Sequence, residues 1–526
     1  MKRKILFLFF VITSTVVFAQ ELPFAYSPGK KSLSKISDAA PASNTIERIL
    51  FQGNNIWLAT SKGLSKSTDN GITWINYYKT ESFAEENVSA IAYGDGTILA
   101  AAWHFETKIG EEVPVGTGLR YSTDEGSTWT KIEQPVDNPD DSSIVYGINT
   151  LRALPVVVPE QNFIYDIELT NNTIWIASFA GGLRKSTDKG VTWQRVVLPP
   201  DNLNSIKPTD TLHFSLQPVA GSFGSEAHLN HRVFSIYAVD DDTIYVGTAG
   251  GINKSTDGGI SWAKFNRTNQ ANPISGNFIL ALDYNKYDNS IWAATWKAEG
   301  VTEYWGVSSS SDGGQNWQTF LTDERVLDFG FKYYGNPGSY THADIFAASQ
   351  SGLYRSNNNG TTWIAAPEIS DDVTFISLNT NHFRAVEVKQ ENDAANIWIG
   401  SLNGLARLTE SNSLWEGEWK VYLASEQTAS ANESYAFPNP FSPDEEGVNI
   451  KYSLTEPANV TIRILDFGMN LVRTVIQNLS KPGNGEQVEI WDGKDENGKI
   501  VPNGVYFYRI DFGSGEPLFG KILVIM

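Results

Sequence analysis

The chain has 526 residues, 60 acidic against 40 basic side chains for a net charge of −20, 44 glycines, 16 tryptophans and no cysteine. A hydrophobic content of 41% and an aromatic content of 12% exclude a disordered chain, which is poor in aromatics. The absence of Cys excludes disulfides, cysteine-ligated zinc, iron–sulfur clusters and thiol nucleophiles, and the acidic balance argues against a nucleic-acid partner or an acidic membrane surface, since both bind through Lys and Arg.

Lys2, Arg3 and Lys4 precede an apolar run over 5–12 that continues to Ala19. A positive start, a short apolar stretch and a small residue at its end form an export signal over 1–19, cleaved after Ala19. The run is too short and too rich in hydroxyls for a span, which needs about 20 apolar residues. Removing its three cations would take −20 to −23. With no second long apolar segment, no integral membrane segment is expected after cleavage. Residues 20–44 form an N-terminal segment.

An eight-residue phrase, Ser-x-Asp-x-Gly-x-x-Trp, then recurs. It carries Asp69, Asp124, Asp188, Asp257 and Asp312, and a sixth copy holds Asn358 in place of the Asp. The box tryptophans are spaced 55, 64, 69, 55 and 46 residues apart. A β-rich phrase precedes each box, as in Ile56-Trp57-Leu58-Ala59-Thr60 and Ile174-Trp175-Ile176-Ala177-Ser178. The copy at Ile397 leads to Trp419, 56 residues after Trp363, and marks a seventh unit whose box has decayed. Each unit reads as four short strands; in the first they fall at 46–51, 55–60, 63–67 and 74–78. Four strands repeated radially make a propeller blade. The fold class is therefore all-β, a seven-bladed β-propeller over 45–424. In each box the Asp holds a tight turn, the Gly permits positive φ and the Trp packs between sheets. Five or six equivalent Asp residues read as hairpin staples rather than as catalytic or calcium-binding groups.

With these boxes the chain resembles the Asp-box, or BNR, propellers over about 380 residues. That group includes sialidases, sortilin-type receptors, tandem-propeller xyloglucanases and a photosystem assembly factor. The resemblance implies the fold and leaves the activity open, because one scaffold hosts many functions. The phrase over 397–405 also resembles the propeller repeats in the periplasmic sensor parts of two-component regulators.

A polar linker over 425–436 follows. Alternating segments at 448–454, 459–466, 471–477, 487–491, 504–511 and 518–525 then suggest a small Ig-like β-sandwich over 437–526. Two phrases, Pro438-Asn439-Pro440-Phe441 and Trp491-Asp492-Gly493-Lys494-Asp495-Glu496-Asn497-Gly498, resemble the Ig-like domain of flagellar hook-capping proteins and the related sorting domains of type IX secretion. The resemblance implies the type IX secretion machinery as a partner through 437–526, and an extracellular or outer-surface location on a Gram-negative bacterium. Asp492, Asp495 and Asn497 fit a turn better than a calcium loop, because Gly493 and Gly504 occupy the outer ligand positions.

The boxes join strands three and four, so the loops between strands two and three lie on the opposite face, where propellers bind ligands. Aligned on the strand-two phrase, one position of that rim reads Ser61, Trp103, Phe179, Ala249, Trp296, Gln350 and Leu402. Inserted loops add His104, Glu106, Glu299, Tyr304 and Trp305. Trp103, His104, Glu106, Phe179, Trp296, Glu299, Tyr304 and Trp305 are the candidate ligand-binding residues, since exposed aromatics stack on sugars or anchor peptides. The same aromatics could instead only cover the ends of the core. Two long strand-four-to-one connections, 131–160 and 194–230, are expected on this face too. His228 and His231 sit three apart with Glu226 nearby and read as a solvated or packed loop rather than a metal site. No catalytic residue, metal site or cofactor is assigned.

Three functions remain. The favoured one is a non-catalytic surface propeller that binds glycan or protein ligands. A glycoside hydrolase would need two placed carboxylates, and none stand out. The sialidase Arg-Ile-Pro phrase is incomplete, since Arg48 and Ile49 are followed by Leu50. An assembly or scaffolding factor is the third.

Overall fold

The structure is a computed structural model, and it describes residues 37–526 except 39, 109, 220–226, 373–375, 379, 392–393, 412–413, 425–432, 444–446 and 484. The proposed export signal and most of the proposed linker lie outside the described residues.

Seven four-stranded antiparallel units follow one another, each built from one continuous stretch of chain. The first runs Ile46–Gln52, Asn55–Thr60, Gly63–Ser67 and Trp74–Asn76. The seventh runs Phe383–Glu391, Ala394–Ser401, Gly404–Glu410 and Gly417–Tyr422. The inner strands of successive units touch all the way round, and the first meets the seventh, so the ring is closed. The protein is a seven-bladed propeller followed by a β-sandwich.

The strand-two phrase is apolar on both faces because each blade packs between two neighbours. Trp57, Trp175, Trp292 and Trp398 are fully buried there. Each of the six boxes folds alike. In the first, Ser67 Oγ donates to Asp69 Oδ1 and accepts from Gly71 N, while Asp69 Oδ1 accepts from Thr73 N at 2.8 Å. Asn358 does the same work as an Asp, accepting from Thr362 N at 2.9 Å. These bonds favour the ionised carboxylate: the Thr128 and Thr192 hydroxyls and N–H groups hold Asp124 and Asp188 down at about 2. The box tryptophan reaches back to the preceding blade: Trp129 meets Trp57 edge-on at 6.0 Å and Trp363 meets Trp292 at 6.4 Å.

Among the described residues no strand bridges the first and seventh blades. Their seam is held by side chains and turns. Arg384 pairs with Glu47 at 2.5 Å, and Arg407 Nη1 donates to Asn70 O at 2.9 Å. Asn44 O accepts from Gly404 N, and its side-chain Oδ1 accepts from Ala424 N at 2.7 Å.

Several details differ from the sequence reading. The last strand of blade one stops at Asn76 rather than 78, because Tyr77 turns in to pack on Trp57 and Phe83. Ser37–Asp38, within the N-terminal segment, adds a fifth outer strand to that blade. The two long connections do not simply crowd the ligand face. They form a flanking three-stranded sheet of Ser143–Tyr146, Asn149–Ala153 and Ser215–Leu216. Tyr146 Oη there donates to Ile260 O in the fourth box turn, on the opposite face. Ser205–Ile206 also joins the outer edge of blade four.

The sandwich has two sheets, one of Ser434–Phe437, Val448–Leu454 and Gly485–Trp491, the other of Leu471–Lys481, Ala458–Leu465, Gly504–Asp511 and Leu518–Val524. Ser434 and Tyr435, read from sequence as linker, begin the first sheet. Asp495 Oδ1 accepts from Asn497 N and Lys499 N, which closes a strand-to-strand turn. Phe437 and Val488 rest on the core of the last two blades.

Candidate ligand-binding rim

Every inner strand carries the same irregularity one or two residues after its start. The register shifts between Ile46 and Arg48, Val88 and Ala90, Ile164 and Asp166, Val233 and Ser235, Ile279 and Ala281, Val326 and Asp328, and Phe383 and Ala385. A bulge re-aims the residue it contains. In blades three and four that residue is Tyr165 and Phe234.

These residues lie on the face where the strand-two-to-three loops emerge, since Phe278 pairs with Trp296 and Asn87 with Trp103. They join the sequence-selected aromatics into one arc. Phe105 packs on Trp103 at 4.8 Å, Trp103 stacks on Phe163 at 4.9 Å, and Phe163 meets Tyr165 at 4.2 Å. Tyr165 meets Phe234 at 4.9 Å, Phe234 meets Phe278 at 4.5 Å, and Phe278 meets Trp296 at 6.4 Å. Phe179 branches from Phe234 at 6.3 Å. Phe105 is 52% exposed, and most of the other rings keep part of their surface in solvent.

Guanidinium groups cap the arc. Arg325 lies 5.8 Å from the Trp296 ring and 4.3 Å from the Trp305 ring. Arg232 lies 5.3 Å from Phe179, and Arg267 lies 5.1 Å from Tyr304. Cations over ring faces gain from the ring quadrupole.

The acids of the inserted loops are largely occupied. Glu303 is buried and accepts from Asn277 N, Asn277 Nδ2, Ala298 N and Gly300 N, so it pins the loop that carries Tyr304 and Trp305. Glu106 and Glu86 flank His104 at 3.2 and 3.1 Å. Partial burial opposes charging of that imidazole, but the two carboxylates outweigh it and raise the His104 pKa. Glu299 stays exposed and is not drawn into the arc.

Below the rim, carboxylates line the channel between the inner strands. Burial pushes Asp166 and Asp328 up to about 6, against the pull of Arg48. It pushes Glu168 and Asp283 up to about 8, and Glu387 well above the carboxylate range. Three of them tie neighbouring blades: Asp166 Oδ2 accepts from Ile236 N at 2.9 Å, Glu168 Oε2 from Ala238 N at 3.4 Å and Asp328 Oδ2 from Val386 N at 3.1 Å. Among the described residues no group of three His, Asp or Glu side chains is placed to hold a metal ion. His228 and His231 are buried in a short turn, and His231 Nε2 lies 3.2 Å from Leu198 O.

Residues 439–515 match the FlgD Ig-like domain. Among curated proteins, a probable oligoxyloglucan-reducing end-specific xyloglucanase of Neosartorya fischeri is 25% identical over 262 residues, 48% of this chain and 28% of that protein. Xyloglucanase Xgh74A of Acetivibrio thermocellus is 23% identical over 309 residues, 53% of this chain and 33% of that protein. The chain thus spans about a third of the length of the curated relatives it matches. Among solved structures, the GH74 enzyme of Niastella koreensis aligns with a TM-score of 0.48 at 14% identity, over 94% of this chain and 75% of that one. PorZ, a surface component of the type IX secretion system of Porphyromonas gingivalis, aligns with a TM-score of 0.40 at 14% identity, over 92% of this chain and 66% of that one.

The sequence reading missed Phe163, Tyr165, Phe234 and Phe278, which connect its three rim aromatics, and the arginines that cap them. Aligning the units on the start of strand one, rather than on strand two alone, would have shown an aromatic there in blades three, four and five.

Proposed function

We propose that this chain is an exported, non-catalytic propeller that holds a glycan across its aromatic rim. The arc from Phe105 to Trp296, extended to Trp305 through Arg325, carries this reading. Sugar rings stack their C–H faces on aromatic faces, and an extended row of partly exposed rings matches a chain of sugars. The best-placed loop acids support binding over catalysis, because Glu303 is spent on four N–H donors and Glu106 on His104 and Lys108.

The Ig-like module is proposed to direct the chain through type IX secretion to the outside of a Gram-negative cell, and the six turns act as the staples of an Asp-box propeller. Glycan-array binding tests the rim. Trp103→Ala and Trp305→Ala, with unchanged circular dichroism, are expected to weaken binding at least tenfold; unchanged binding overturns the site. Removal of 437–526 is expected to hold the protein in the periplasm, and normal secretion without it rejects the sorting role.

The xyloglucanase relatives favour a second reading, hydrolysis of a plant-type polysaccharide. Release of reducing sugar from xyloglucan, lost on Glu106→Gln or Glu299→Gln, would replace the binder with an enzyme.

A further inference from the structure

We propose that the glycan taken by the rim is acidic, with sugar carboxylates met by Arg325, Arg232 and Arg267. This rests on the glycan-binding reading above and adds the chemical class of the ligand.

The three rim arginines differ from six others that hold an ion pair; Arg120, Arg407 and Arg473, like Arg232 and Arg267, donate to backbone carbonyls instead. Arg184, Arg195, Arg355, Arg384, Arg463 and Arg509 each carry a carboxylate partner. Arg232, Arg267 and Arg325 form no ion pair with a described residue, although acids outnumber bases 60 to 40 in the chain. All three sit on the rim face. Arg232 and Arg325 directly precede the inner strands Val233–Ala238 and Val326–Asn336, and Arg267 follows the outer strand Trp262–Phe265.

Their local bonds hold them without using up their forks. Arg232 Nε donates to Pro218 O at 2.8 Å, and Arg267 Nη1 donates to Ile274 O at 3.2 Å. Arg325 Nη1 reaches Gln350 Oε1 at 3.4 Å. The guanidinium carbons lie over the Phe179, Tyr304, Trp296 and Trp305 rings. Each guanidinium keeps N–H groups that these bonds do not use, and such a fork can bind a carboxylate through two parallel hydrogen bonds. Arg325 is exposed. An aromatic row alone would take a neutral sugar chain; an aromatic row edged by unpaired guanidiniums complements a chain whose rings carry carboxylates. Ring faces and guanidiniums, rather than backbone groups, make up the row, which favours a sugar over an extended acidic peptide.

The test is titration calorimetry of the full chain against oligosaccharides of galacturonate, mannuronate, glucuronate-containing hyaluronan and sialic acid. Their methyl-esterified or carboxyl-reduced counterparts, xyloglucan oligosaccharide and oligoglutamate complete the set. At least one acidic sugar is expected to bind, about tenfold or more tighter than its uncharged counterpart, and more weakly as salt rises. Arg325→Gln and Arg232→Gln are each expected to cost about tenfold, with Arg325→Lys between Gln and wild type, because Lys keeps the charge and loses the fork. Equal binding of the charged and uncharged forms, or indifference to both Gln variants, overturns the acidic class. If Trp305→Ala still abolishes that binding, the rim reading survives. Binding of oligoglutamate as tightly as the best sugar overturns the sugar assignment. Silence of every sugar overturns both readings together.

Discussion

Gly71 of the first blade lies against Trp398 of the seventh: a Cβ added to this glycine would stand 2.6 Å from Trp398 Cη2 and 2.8 Å from the Tyr422 hydroxyl oxygen. The same relation recurs at other blade boundaries, with Gly126 against Trp57 and Gly259 against Trp175. The box glycine therefore answers two demands, a positive φ in its own turn and close approach to the preceding blade.

Gly71→Ala should open the seam between the first and last blades. The φ of +82° is unfavourable to any side chain, and the neighbouring rings are fully or nearly fully buried. A loss of about 2–4 kcal/mol is expected in denaturant unfolding, from strain and overpacking together. A variant as stable as wild type would show that the seam yields without cost.

Ser67→Ala tests the turn itself. Ser67 is buried and accepts from Gly71 N at 2.9 Å. Removing the hydroxyl leaves that N–H without its acceptor, at about 1–3 kcal/mol. Ser67→Thr, which keeps the hydroxyl, should recover part of this stability.

A buried ionic cluster joins blades six and seven. Arg355 Nε donates to Asp344 at 3.0 Å, Arg355 Nη2 donates to Glu410 at 3.1 Å, and Lys332 also pairs with Glu410. The side chains of Arg355, Asp344 and Glu410 are each 1% exposed. Arg355→Met leaves Asp344 without its guanidinium and Glu410 with Lys332 alone, and should cost about 3–5 kcal/mol. If Arg355→Met is as stable as wild type, the cluster contributes little to the joint.

The channel acids make stability depend on pH. Burial raises Asp283 and Glu168 to about 8 and Asp166 and Asp328 to about 6 in the folded state. Each keeps its proton more tightly folded than unfolded, so its contribution is complete below the ordinary carboxylate range, near 4. It is lost as pH rises from about 4 to 6 for Asp166 and Asp328 and to 8 for Asp283 and Glu168. Thermal stability is expected to fall over that interval. Asp283→Asn retains an acceptor for Tyr284 N, which Asp283 Oδ1 now binds at 2.7 Å. The variant should gain about 1–3 kcal/mol over wild type at pH 8 and little at pH 4. An equal effect at both values would show that Asp283 does not titrate in this range.

The ring was legible because a repeat states its own period. Six boxes and seven strand-two phrases located the strands of the first blade to within about two residues, the overshoot at Tyr77 and Tyr78 arising where an aromatic leaves the sheet to fill a corner. The rim was legible only in part. Trp103, Phe179 and Trp296 stood out as the aromatics of a column otherwise made of Ser61, Ala249, Gln350 and Leu402. Tyr165 and Phe234 did not, because a bulge shifts them out of the two-residue alternation that identifies a strand face. Arg325 is 20 residues from Trp305 in the chain, and only packing brings the two together. The flanking sheet was illegible for a related reason: its strands, such as Ser215–Leu216, are too short to carry a period.

Asn44 must wait for Ala424. The bonds that join these residues, and those from Thr45 to Leu402 and from Glu47 to Arg384, span nearly the whole propeller. Among the described residues no strand is exchanged across the seam, so closure comes last in chain order and is set by how fast distant ends meet. Until then blades one and seven each present a bare face, and the unsealed chain has an open end that could recruit another copy. Asn44 is thus a clasp, and its timing separates a ring from a string of blades.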